Sequence, residues 1–128
     1  MGFICPACAA AALEIGATLE LPADSDWDEI TLQTMICARC GLRALAVYRE
    51  SRHGALDSEV VWHTGYRVSA ADFAGVAAAV ALCPRPADDA CACAAHRRFG
   101  AQRAGRWPGL PECGVKVLGE YNLSRPNP

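Results

Sequence analysis

The chain has 128 residues, 52% of them apolar, enough to bury one core and too few to call for several domains. Charged residues make up 20% and the formal net charge is −2, which excludes both a polycation that coats nucleic acid and a highly charged disordered tail. Eight cysteines in close groups, with gaps of one or two residues, read as metal ligands and not as a dispersed disulfide framework.

The opening stretch Met1–Pro6 carries no basic segment or long apolar run, and Gly2 fails as a myristoylation site because Pro6 stands where Ser or Thr is needed. The longest apolar run, Phe73 to Leu82, is half the length that crosses a bilayer. A cytoplasmic protein with no membrane partner is expected. Eleven Arg against one Lys, with abundant Ala, points to a GC-rich, prokaryotic genome.

From Leu13 to Leu21 the residues Leu13, Ile15, Ala17, Leu19 and Leu21 alternate with more polar ones, predicting a strand with those five on one core-facing side. An acidic loop over 22–29 follows, then a second strand over 30–36 running into Cys37. Leu42 to Arg49 and Glu59 to Val68 read as two more strands around a polar turn at His53-Gly54, completing an antiparallel meander. Ser69 stands as an N-cap, with Asp72 placed to return the bond in a capping box, and Phe73, Val76, Ala77 and Val80 recur at helical spacing. This one amphipathic helix must stop at Cys83-Pro84, because proline disfavours helical geometry in the residue before it and has no amide to donate. A Cys-rich loop and an Arg-rich stretch follow, then a Pro/Gly-rich tail with a short strand expected at Val115 to Leu118 and fraying from Asn122.

Cys5-Pro6-Ala7-Cys8 and Cys37-Ala38-Arg39-Cys40-Gly41 form a double CxxC set. Two residues between thiolates let a tight turn aim both sulfurs at one ion, and two such turns complete a tetrahedron. Gly41 supplies the positive φ such a knuckle needs after its second cysteine. The pair, with strands leading between and away from the turns, resembles the zinc-ribbon superfamily over roughly the first fifty residues, which implies a structural zinc. Ala9 stands where the first knuckle would have glycine, so a different backbone shape is expected there. Iron is the competing ion, since a tetrathiolate of this kind is similar to rubredoxin and would make the chain an electron carrier. A third reading takes Cys5–Cys8 as a thiol-disulfide oxidoreductase dithiol, with Ala9 to Leu13 beginning the helix that lowers a thiolate pKa.

Cys83, Cys91, Cys93 and His96 fall within fourteen residues and form a set of three thiols and one imidazole for a second ion, with Cys113 the alternative to His96 as fourth ligand. Four thiolates on a divalent ion leave −2 and three thiolates with a neutral His leave −1, so filling both sites takes the formal −2 of the chain to about −5. Arg85, Arg97 and Arg98 flank the second set and are expected to offset its charge by hydrogen bonding to sulfur.

A sulfur-only site is closed, whereas hydrolytic zinc needs an open position. No H-x-E follows His53, His63 or His96, and no phosphate loop, H-E-x-x-H or G-x-S-x-G is present. Two polar groupings are candidates for recognition. One is the hairpin stretch Tyr48–Gly54 with Asp57, Glu59, Trp62, His63 and Tyr66, which equally reads as a solvated hairpin tip. The other is Arg97, Arg98, Arg103 and Arg106 with Trp107, where cations could track phosphates while the indole stacks on a base. Against nucleic acid, residues 1–30 hold six acids and no Lys or Arg.

The sequence thus predicts an α+β chain: an N-terminal zinc ribbon over 1–50 continued as a small antiparallel sheet, a strand plus helix over 59–82, and a Cys/His loop with the Arg-rich segment over 83–121. Together these make one metal-stabilised domain, with 122–128 a flexible tail. The expected function is a zinc-binding, non-catalytic interaction module with a protein or nucleic acid partner.

Overall fold

The computed structural model describes residues 2–52 and 59–126. Four long strands follow one another as a meander: β1 (Leu13–Leu21), β2 (Glu29–Cys37), β3 (Arg43–Ser51) and β4 (Val60–Arg67). After helices α1 (Ala70–Ala81) and α2 (Ala94–Phe99) and a 3-10 turn at Leu110–Cys113, a short β5 (Gly119–Asn122) returns to β4. The five-stranded sheet is antiparallel with strand order β1-β2-β3-β4-β5, so the fold is α+β.

Each face of the sheet has its own core. On the helical face Leu19, Leu21, Ile30, Leu32, Leu45 and Val47 pack against Phe73, Val76 and Val80 of α1 and Phe99 of α2. On the opposite face Phe3, Cys5, Leu13, Met35, Cys37, Ala44 and Ala46 form a smaller cluster, covered by Tyr121 and Leu123. The expectation that Leu13 to Leu21 share one alternating face is therefore corrected. Register slips by one residue between Ile15 and Thr18, where the Ala17 N–H donates to Thr34 Oγ1 at 2.8 Å. A bulge of one residue reverses the parity of everything beyond it. Leu13 serves the knuckle-side core, Leu19 and Leu21 serve the helical one, and Ile15 and Ala17 are exposed.

Helix α1 takes the N-cap its sequence predicts, with Ser69 Oγ accepting from the Asp72 N–H at 3.0 Å, but the Asp72 carboxylate expected to return that bond is turned to Lys116 instead. Asp72 Oδ2 accepts from the Lys116 N–H at 3.0 Å, pinning the returning chain to the helix start. Helix α2 lies in what reads as loop; Cys93 is its N-cap, its sulfur accepting from the His96 N–H at 3.3 Å. The strand expected at Val115 to Leu118 is displaced to Gly119–Asn122, because the Leu118 N–H first ties to the Arg67 carbonyl and pairing with β4 starts beyond it. Of the residues expected to fray, Asn122 to Ser124 are docked: Asn122 pairs with Thr64, the Leu123 N–H donates to the His63 carbonyl, and the Ile4 N–H donates to the Ser124 carbonyl. No described helix is long and apolar enough to cross a membrane.

Candidate metal centres

The two CxxC turns are near copies in backbone hydrogen bonding. The Cys5 N–H donates to the Ala10 carbonyl at 2.9 Å and the Ala9 N–H to the Cys5 carbonyl at 2.9 Å; the Cys37 N–H donates to Leu42 at 2.8 Å and the Gly41 N–H to Cys37 at 3.0 Å. Both closing residues are left-handed, Gly41 at φ 79° and Ala9 at φ 63°. The first knuckle thus keeps the shape of the second despite its missing glycine, and an alanine carries the strain. No helix begins at Ala9; Phe3 bridges to Leu13 and the chain enters β1 directly.

The Phe3–Leu13 bridge and the donation of the Ala38 N–H to the Ala12 carbonyl at 2.8 Å bring the turns together at one end of the sheet. The sulfurs of Cys5, Cys8, Cys37 and Cys40 all lie within 4.8 Å of one another, with Cys5–Cys40 at 3.6 Å and Cys8–Cys37 at 3.7 Å. Tetrahedral arms of about 2.3 Å require sulfur–sulfur edges of about 3.8 Å, so this set fits one ion. Backbone amides aim at it: Ala7 N–H to Cys5 Sγ at 3.4 Å and Cys40 N–H to Cys37 Sγ at 3.5 Å. The latter bond draws the Cys37 thiol down to about 6, against the opposing pull of burial. Cys40 accepts from the Leu42 N–H, which acts downward, yet burial and the neighbouring cysteines push it up to about 11. A metal ion binds cysteine as the thiolate, so binding at such a group would release protons.

The second set is assembled from the end of α1, the loop after it and the start of α2. Cys83, Cys91, Cys93 and His96 also place their ligand atoms within 4.8 Å of one another. Cys83 and Cys91 sulfurs are 3.9 Å apart, and His96 Nδ1 lies 3.4 Å from Cys83 Sγ and 3.1 Å from Cys93 Sγ. The amide of His96 draws Cys93 down to about 6, while burial first and the neighbouring thiols second push Cys83 up to about 11. The other ring nitrogen of His96 is 2.9 Å from the Glu20 carbonyl oxygen. A carbonyl only accepts, so Nε2 carries a proton and Nδ1 is the nitrogen that faces the sulfurs, the orientation of a metal-binding histidine. The Glu20 N–H donates to the Pro86 carbonyl at 2.8 Å, so the loop covers the outer edge of β1 from both sides of one residue.

Cys113 is not in this set. Its sulfur lies 3.4 Å from the Gly109 carbonyl and 3.8 Å from that of Phe99, which leaves His96 as the fourth group. The arginines do not serve sulfur through their guanidinium groups. Arg85 reaches Asp88 at 4.0 Å and offers only its backbone N–H to Cys83, Arg98 Nε donates to the Cys113 carbonyl at 3.1 Å, and Arg97 is exposed. Arg103 pairs with Glu112 at 2.8 Å and Arg106 with Asp26 at 3.2 Å. Trp107 is buried, its indole N–H donating to the Phe99 carbonyl at 2.7 Å, so it has no face free to stack on a base.

The hairpin cluster divides between the two faces. Arg49 lies over Trp27 and Trp107 on the helical side, with its guanidinium 3.4 Å from the Tyr66 hydroxyl. On the other side the Tyr48 hydroxyl donates to Glu50 at 3.1 Å, and His63 Nε2 meets Gln33 Oε1 at 2.6 Å. Trp62 is exposed; His53, Gly54 and Asp57 lie outside the described residues. Sequence reasoning missed Tyr121, whose ring occupies the space a Cβ on Gly65 would fill and whose buried hydroxyl, near Cys5, finds no hydrogen-bond partner among the described residues. Only pairing of β5 with β4 brings it there.

No protein-family model, curated protein or solved structure matches this chain. What the geometry defines is a small α+β protein with one group of four cysteines and one of three cysteines and a histidine, each able to hold a metal ion.

Proposed function

We propose that the chain is a zinc-binding, non-catalytic interaction module of zinc-ribbon type. In this reading Cys5, Cys8, Cys37 and Cys40 hold one structural zinc, and Cys83, Cys91, Cys93 and His96 hold a second. The supporting observation is that four ligand atoms converge twice, in each case with backbone amides directed at sulfur and, at the second set, with the histidine ring oriented by Glu20. Four protein donors leave no open position for a substrate or water, so such a zinc cross-links the chain. The first would join the amino-terminal knuckle to the β2–β3 turn, and the second would clamp the 83–96 loop over the edge of β1. Structural zinc contributes on the order of 10–16 kcal/mol in finger peptides, enough to decide whether these parts fold. Loading needs reduced thiols, which fits a cytoplasmic location. With Trp107 buried and Arg103 and Arg106 paired, a protein partner is favoured over nucleic acid.

Metal analysis with an absorption spectrum tests this. Two zinc ions per colourless chain, and unfolding when a strong chelator removes them, are expected. A red iron form would make the first site a rubredoxin-like electron carrier. A stable metal-free fold with a titratable Cys5–Cys8 dithiol would make the chain an oxidoreductase.

A further inference from the structure

The two edges of the sheet are treated differently. The outer edge of β1 is capped at Glu20 by the second cysteine loop and at Leu13 by Phe3. The outer edge of β4 is covered by β5 only from Thr64 to Arg67, with one further bond from the Leu123 N–H to the His63 carbonyl. Backbone groups alternate sides along an antiparallel strand. Since His63 faces the β5 lane, Val61 presents its own N–H and carbonyl to the same lane, with no partner among the described residues. Val60, Val61 and Trp62 are 45%, 48% and 56% exposed, three consecutive large apolar side chains on an open edge. A groove of about 440 Å³ lined by Val61, Trp62, His63, Thr64, Asn122 and Leu123 lies where a longer β5 would run. The described part of the chain's tail turns away from it: Ser124 bonds to Ile4, and the Arg125 guanidinium sits over the Phe3 ring.

We propose that this lane takes an extended, basic segment of a protein partner, added to the sheet as a strand alongside Val60–Trp62. Edge pairing would supply main-chain hydrogen bonds, and the groove a seat for an apolar side chain beside Trp62. Charge selects the partner. Glu29, Glu50 and Val61 are consecutive partners across the strands, so two carboxylates stand in the row of Val61, and Glu59 immediately precedes β4. Glu50 and Glu59 crowd each other enough to hold the Glu59 carboxyl above its ordinary range. Glu50 itself is buried and taken up by Arg52 and the Tyr48 hydroxyl, so the carboxylates open to a partner are the exposed Glu59 and Glu120, the latter lining a groove with Trp62. Lysine or arginine at the ends of the incoming strand would meet these carboxylates.

The inference names the surface of the interaction module proposed above and rests on that reading only for the partner's being a protein. The test uses the full, metal-loaded chain, labelled with nitrogen-15, and two acetylated, amidated heptapeptides at 1 mM: Lys-Val-Thr-Val-Arg-Val-Lys and its counterpart with glutamate at each basic position. The basic peptide should shift the amides of Val60 to His63 and Leu123 and slow exchange of the Val61 N–H about tenfold. Val61→Pro removes the outward N–H while sparing the bonds to β3, and should abolish the response with metal content unchanged. Should that variant lose its fold, Trp62→Ala at an exposed position provides the second reading and should weaken the response. No shift with either peptide, shifts that survive Val61→Pro, or an equal response to the glutamate peptide would overturn the proposal. Self-association that Val61→Pro abolishes would overturn it in favour of a second copy of the chain, and the same shifts with an oligonucleotide would overturn it in favour of nucleic acid. A wrong metal count with the peptide response intact would refute the zinc reading and leave this surface standing.

Discussion

Replacing Ala9 by glycine is expected to stabilise the protein, although it removes a methyl group. Ala9 is exposed, so its Cβ contributes little packing, and it closes the first knuckle at φ 63° as Gly41 closes the second at φ 79°. A left-handed conformation costs an L residue about 1–2 kcal/mol, while the added freedom of glycine in the unfolded chain returns about 0.4–1 kcal/mol, leaving a net gain of about 0.5–1 kcal/mol. For a chain of this size that raises Tm by about 2–5 °C. Gly41→Ala is the mirror experiment: nothing lies within 4 Å of the added Cβ, so only backbone strain acts, and a loss of similar size is expected. Differential scanning calorimetry at one buffered free-zinc concentration reads these shifts without a change in metal occupancy adding to them. A lower Tm for Ala9→Gly, with Gly41→Ala harmless, would refute the assignment of strain to this turn.

His96→Gln should reduce bound metal from two ions to one, by more than the ~10–100-fold affinity loss that follows damage to an outer partner of a metal histidine; plasma mass spectrometry checks the count. Trp107→Phe should cost about 1–2 kcal/mol in a urea melt, because the Phe99 carbonyl loses its indole donor, and should leave any response to nucleic acid unchanged. His63 is held below its ordinary pKa, first by burial and second by the Arg125 guanidinium. A pKa lower in the folded state than in the unfolded one means that neutral His63 adds stability fully present above about pH 6.5 and lost as pH falls through the folded-state value. NMR titration should place its midpoint below 6.5, and Arg125→Ala should raise it without reaching 6.5, since burial remains. A parent midpoint at or above 6.5 would contradict this.

Local rules were sufficient wherever neighbours in sequence settle the matter. Alternation marked the four long strands, Ser69 and Cys83-Pro84 bounded the first helix, and the double CxxC and the Cys83–His96 spacing marked the two groups that converge, because each cysteine pair shares a tight turn or a short loop. Ala9 was misjudged for the complementary reason. A knuckle's shape is imposed by the two hydrogen bonds that close it, and those hold an alanine in a conformation its own preference disfavours.

What the sequence determined by itself is therefore the covalent spacing of the sulfurs and the periodicity of the strands, both properties of contiguous residues. Tertiary structure alone decided the rest. One inserted residue in β1 divided its apolar positions between two cores, the edge of β1 supplied Glu20 to orient His96, and the return of β5 buried the Tyr121 hydroxyl while stopping short of Val61. Each of these depends on groups far apart along the chain meeting across a sheet, and a local pattern carries no record of that pairing until the strands are in register.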